Sequence, residues 1–187
     1  MKNRGLTTTD LWNGFGSAMS PIPVLFDMAQ EKYPFIRANQ MGYVITPREG
    51  EGFAETWPAG EPGSPERPRP SQFPLDRPAI QVFKPDQFTM ADIAGEAMHV
   101  DPYVQAKREQ LTPTLDTAQQ EILKKQLDYT MSKGMPDDAR MKNAVDALMR
   151  GYVVGQWPEH ALKQFNFTTE QTELLDVLKK YVTTGKK

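Results

Sequence analysis

Apolar positions along the chain follow two regimes, divided near residue 89. After that point they recur with helical period, most cleanly at Met141, Val145, Leu148, Met149 and Tyr152, which fall at i, i+4, i+7, i+8 and i+11 on one face. The pattern predicts successive helices. The first covers Ala91 to Val100 and starts at Thr89 with Asp92 in capping position; a short second runs from Tyr103 to Leu111. For a third, Thr112-Pro113 and Asp116 with Gln119 are successive start signals; it buries Ile122, Leu123, Leu127 and Met131 and ends at Gly134 and Pro136. The fourth carries the Met141–Tyr152 stripe and closes at Gly155. A helical turn over Ala161 to Phe165 follows. The last helix starts at Thr168 with Gln171, buries Leu174, Leu175, Leu178, Tyr181 and Val182, and frays at Gly185.

Before residue 89 the pattern is shorter and more broken. Thr7 to Phe15 reads as a helix start weakened by Gly14 and Gly16, and Val24 to Tyr33 as a short amphipathic helix stopped by Pro34. Tyr43-Val44-Ile45, a glycine-bearing turn at 48–52, and Phe53 to Trp57 read as a β-hairpin. Residues 58–78, PAGEPGSPERPRPSQFPLDRP, contain seven prolines. Proline removes the backbone donor and fixes φ, so this stretch predicts an extended connector, either a flexible linker or held against its own fold or a neighbour. Ala79 to Phe83 can add a third strand. The expected architecture is α+β: an N-terminal arm over 1–40, then one domain over 41–187. That domain holds a small antiparallel sheet of two or three strands followed by a bundle of four or five helices.

Composition narrows the function classes. In 187 residues, 39% are hydrophobic and 25% charged, the net charge is −2, and cysteine is absent. Disulfide and thiolate chemistry are therefore excluded, and no overall charge draws the chain to nucleic acid or an anionic surface. No apolar run reaches the length of a membrane span, and MKNRGLTTTD lacks the apolar core of a signal peptide. No phosphate-cradling GxxxxGK[ST] loop occurs, and no serine is framed by glycines as a nucleophile.

One stretch carries candidate chemistry. Gly95-Glu96-Ala97-Met98-His99 has the spacing of a zincin HExxH helix with glycine in place of the first histidine. In that motif two imidazoles one turn apart bind zinc and the glutamate polarises the attacking water. Here Glu96 would be the catalytic group and His99 a zinc ligand; Asp101, Asp92 or His160 would have to complete the site. A carboxylate-bridged di-metal site needs two Glu-x-x-His pairs, and the chain has one. The plainer reading is an i, i+3 pair stiffening a surface helix, with no cofactor.

The apolar residues Trp12, Phe15 and Phe26 on the arm suit burial against another subunit, and Arg67-Pro-Arg69-Pro resembles a PxxP ligand for an aromatic groove. These five are the candidate partner-binding residues. Three stretches (PRPSQFPLDRPAIQVFKPD, ADIAGEAMHVDP and GYVVGQWPEHALKQFNFTTEQTELLDVL) together resemble segments of uncharacterised, virion-associated proteins of tailed bacteriophages. The resemblance covers about residues 42–183 and carries over no catalytic residue. It implies a non-enzymatic structural or interaction protein of a phage particle or its assembly, located in the virion or the host cytoplasm. Its partners would be other virion proteins or its own copies. The alternatives are a zincin-like peptidase scaffold, active or inactive, and an intracellular phage factor that binds a host protein.

Overall fold

The computed structural model describes residues 22–50, 52–126 and 137–187. Its elements in chain order are α1 (Ile22–Lys32), α2 (Phe35–Ala38), β1 (Gly42–Ile45), β2 (Ala54–Trp57) and β3 (Ala79–Val82). Then come α3 (Met90–Val100), α4 (Pro102–Leu111), α5 (Thr117–Gln126), α6 (Asp137–Val153), α7 (Glu159–Lys163) and α8 (Thr169–Thr184). The class is α+β. The chain divides into two compact units, 1–101 with 181–187 and 102–180. The boundary expected at residue 40 is not where the units part, because α1 and α2 build the core of the first unit.

In that unit α3 packs on α1 and on β2 and β3. Leu25, Ala29, Phe35 and Ile36 are fully buried there, as are Trp57, Ala79 and Ala94. Phe26, expected to find a neighbour outside the fold, is 4% exposed and lies 4.6 Å, centroid to centroid, from the Tyr43 ring. It is a core residue. Burial and the nearby Asp27 carboxylate push the Tyr43 phenol above its ordinary value.

The sheet departs from the expected hairpin. Its order is β1-β3-β2, with β3 central, parallel to β1 and antiparallel to β2. The apolar β3 is the strand that fits the middle: Ala79, Ile80 and Val82 are all buried, whereas every residue of β1 is only half-buried. The connection from β1 to β2 is too long to dictate a tight hairpin, and Thr46, Arg48 and Phe53 on its two limbs bond to the end of β3 instead. Thr46 and Arg48 donate to the carbonyls of Val82 and Phe83, and the Phe53 carbonyl accepts from Phe83. The Arg48 guanidinium lies 3.6 Å over the Phe83 ring and 3.5 Å from Glu55 of β2, closing the crossing.

Helix starts are set by side chains, as the sequence predicts. Thr89 and Asp92 form a reciprocal capping box on α3; Asp116 with Gln119 and Thr168 with Gln171 do the same for α5 and α8. In the second unit the last two boxes interlock. Gln119 and Gln171, both buried, bond each other through their amides at 2.8 and 3.0 Å, and their Nε2 groups also reach the carbonyls of Phe165 and Thr114. Val145, Leu148 and Met149 of α6 are buried as predicted, with Leu175 and Leu178 of α8. Arg108 and Asp146 form a buried ion pair at 3.2 Å. The predicted stripe positions Leu127 and Met131 lie outside the described residues.

Tyr152 marks the rim of this unit. Its hydroxyl donates to Asp176 at 2.7 Å, and its ring meets Phe167 edge-on. Burial, then the Asp176 hydrogen bond, push the phenol up to about 12. Folding therefore favours the neutral phenol: this stabilisation is full below the ordinary value of 10.0 and is lost as pH rises through about 12. In an absorbance titration at the tyrosinate band, the last-ionising component should vanish in Tyr152→Phe and move to lower pH in Asp176→Asn. A titration in which no tyrosine lags behind the others would contradict the assignment.

Candidate interaction site

Residues 58–78 form neither helix nor regular strand, yet they follow one defined course. Seven prolines leave this stretch short of N–H donors, so its carbonyls need donors from elsewhere. Arg69 supplies them. Its Nη1 donates to the carbonyls of Pro58 and Glu61 at 2.9 and 3.2 Å, and its Nη2 to Pro74 at 3.1 Å and to Arg77. Four of five guanidinium N–H groups thus gather both limbs of the segment around one planar cation.

A small turn carries Arg69 to that position. Ser64 and Arg67 exchange backbone hydrogen bonds, the Ser64 hydroxyl accepts a second from Arg67 N–H, and Gly63 bridges to Pro68. Gly63 sits at φ +83°, and a Cβ there would lie 2.5 Å from Arg69 N, so glycine is required twice over. The Glu66 carboxyl at the tip is held below its ordinary value by its own backbone N–H and the Ser64 hydroxyl. Further along, one edge of the Phe73 ring lies against Gly42 of β1, where a Cβ would come 2.5 Å from its Cε1.

Arg67 faces inward too. Its guanidinium covers the fully buried Trp57 ring at 4.1 Å, pairs with Glu61 at 2.9 Å and donates to the Thr56 carbonyl at 2.7 Å. That carbonyl points off the outer edge of β2, so Arg67 blocks the edge against another strand. Both arginines of the PxxP-like stretch are therefore committed to their own backbone rather than offered to a groove. They are positioning residues. The large apolar side chain the segment exposes is Leu75, 49% accessible and flanked by the exposed Pro74 and Asp76; Phe53, before β2, is equally exposed.

The remaining candidates are placed as follows. Trp12 and Phe15 lie outside the described residues. Glu96 and His99 are half-buried on α3, one turn apart, with Gly95 buried between core positions. Asp92 is engaged in capping Thr89. Asp101, 2% exposed, accepts from Asn39 Nδ2 at 2.6 Å and from the Tyr181 hydroxyl at 2.7 Å, so its carboxylate fastens α2 and the last turn of α8. Among the described residues no three His, Asp or Glu side chains gather as a metal would need. No helix among them is long and apolar enough to cross a membrane.

No family model, curated protein or solved structure matches this chain. The sequence places Trp57 on a strand and Tyr181 on a helix stripe, but it does not signal the contacts that these two and Asn39 make. Nothing local marks those contacts, since the partners lie 10, 62 and 80 positions away.

Replacing Arg69 by Ala should lower stability in urea unfolding by about 1–3 kcal/mol and open 58–78 to limited proteolysis. Arg69→Lys should recover only a minor part, because an ammonium lacks the planar fork that reaches both limbs. Unchanged cleavage of both variants would remove Arg69 from its role.

Proposed function

We propose that this protein is a non-enzymatic structural or interaction component of a tailed-phage particle or its assembly, acting in the virion or in the host cytoplasm before packaging. The observation supporting an interaction role is the order imposed on 58–78. A proline-rich segment fastened through one guanidinium presents Leu75 and its neighbours with little entropy left to lose on binding. The phage setting rests on the resemblance of 42–183 to virion-associated segments. In this reading Arg67 and Arg69 hold the surface, Leu75 makes contact, and residues 1–21, with Trp12 and Phe15, supply a second contact.

The test is the protein content of purified particles from cells making tagged protein. Wild type should be present in fixed stoichiometry. Leu75→Asp and a chain lacking residues 1–21 should each be depleted on the order of tenfold or more while keeping wild-type helicity. Particles that carry none of the wild-type chain, with a host protein bound stoichiometrically to it instead, would replace this reading with that of a host-directed factor.

A further inference from the structure

The described part of the first unit comes from two stretches of chain, 22–101 and 181–187, with 102–180 between them. The second stretch is short and closely fastened. Val182 is fully buried and Tyr181 is 3% exposed, its ring edge-on to Phe35 at 5.9 Å. The Tyr181 hydroxyl donates to Asp101, and the same carboxylate oxygen accepts from Asn39, whose amide also bonds the Phe35 carbonyl at 2.8 Å. Gly185 ends α8 with a φ of +70°; its N–H bonds the Tyr181 carbonyl, and a Cβ there would stand 3.4 Å from Pro34. The partners are thus Pro34, Phe35 and Asn39 around α2, and Asp101, the residue from which the chain leaves this unit.

α2 does not keep this arrangement alone. A helix of four residues is far below the length that persists unaided, and Pro34 gives it no side-chain cap. Its other end is closed by Asn39, and Asn39 is in turn held by Asp101. We propose that residues 181–187 are a strap on the first unit, latched by the Tyr181–Asp101 hydrogen bond, which docks and releases while 102–180 stays folded. The course of α8 allows this. Its buried Leu175 and Leu178 belong to the second unit, whereas Tyr181 and Val182, about one turn further on, belong to the first. Helices open from their ends, so the last turn comes away without disturbing either leucine. Release uncovers Phe35 and leaves α2 with one fastening fewer. The strap acts on the unit that carries the proline-rich segment and Leu75, and it goes beyond the function proposed above without depending on it.

Native-state hydrogen exchange of the full chain, followed amide by amide by NMR, tests the strap. Tyr181→Phe keeps the ring on Phe35 and removes only the hydroxyl. Exchange at Ala38, Asn39 and Gly185, whose N–H groups bond the carbonyls of Pro34, Phe35 and Tyr181, should rise about tenfold. Exchange at Val145 and Leu148, buried on α6 in the second unit, should stay within about twofold of wild type. Val182→Ala trims the buried part of the strap, leaves the latch in place, and should divide the two units in the same way. A fold that opens only as a whole would speed α6 as much as α2 in either variant, and that result would overturn the inference. So would wild-type exchange at Ala38, Asn39 and Gly185 in Tyr181→Phe. If Val182→Ala fails to fold, Tyr181→Phe decides alone.

Discussion

The first unit depends on one cation surrounded by carbonyl oxygens. A chain segment with seven prolines has acceptors in excess of donors, and left to itself it would turn those acceptors to water and stay extended. Arg69 reverses the balance by offering four N–H groups from one rigid plane to Pro58, Glu61, Pro74 and Arg77. The limbs of the segment are brought together, Phe73 is laid on Gly42, and Arg67 is delivered over Trp57. The sheet and its connector are thus one construction: the segment leaving β2 returns to cover it before entering β3.

That construction explains the sheet order. Entering β3 last and from the far side of the connector, the chain places its most apolar strand between two half-buried ones. At the end of β3, Arg48 is held by Phe83 and by Glu55 of β2. The asymmetry of the edges follows as well. Arg67 of the connector takes the Thr56 carbonyl at the outer edge of β2, and among the described residues no side chain does the same on β1.

Whatever depends on neighbours within one or two turns could be read from the sequence. The boxes at Thr89, Asp116 and Thr168 close over three residues, and the α6 stripe repeats over four, so both were legible along with the α+β class. The hairpin reading failed because pairing between strands is decided by burial and by the path of a long connection, neither of which is local. Phe26 was misjudged for a related reason. Its shelter comes from Tyr43 and from α3, across the intervening loops. The arginines at 67 and 69 looked like ligands because a proline-arginine run carries no mark of whether its cations face a groove or their own backbone. For Asp101 the sequence offers its nearness to His99, for Tyr181 a place on the buried stripe of the last helix, and for Asn39 nothing; the hydrogen bonds that join them cross 62 and 80 positions.

The central claim is that the proline-rich segment is a fixed surface rather than a tether. Amide relaxation measured by 15N NMR at Gly60, Ser64, Arg67, Phe73 and Arg77, whose N–H groups all bond within the segment, tests it most directly. The account predicts order parameters of about 0.85, equal to those of the helices; values below about 0.6 across these five amides would contradict it.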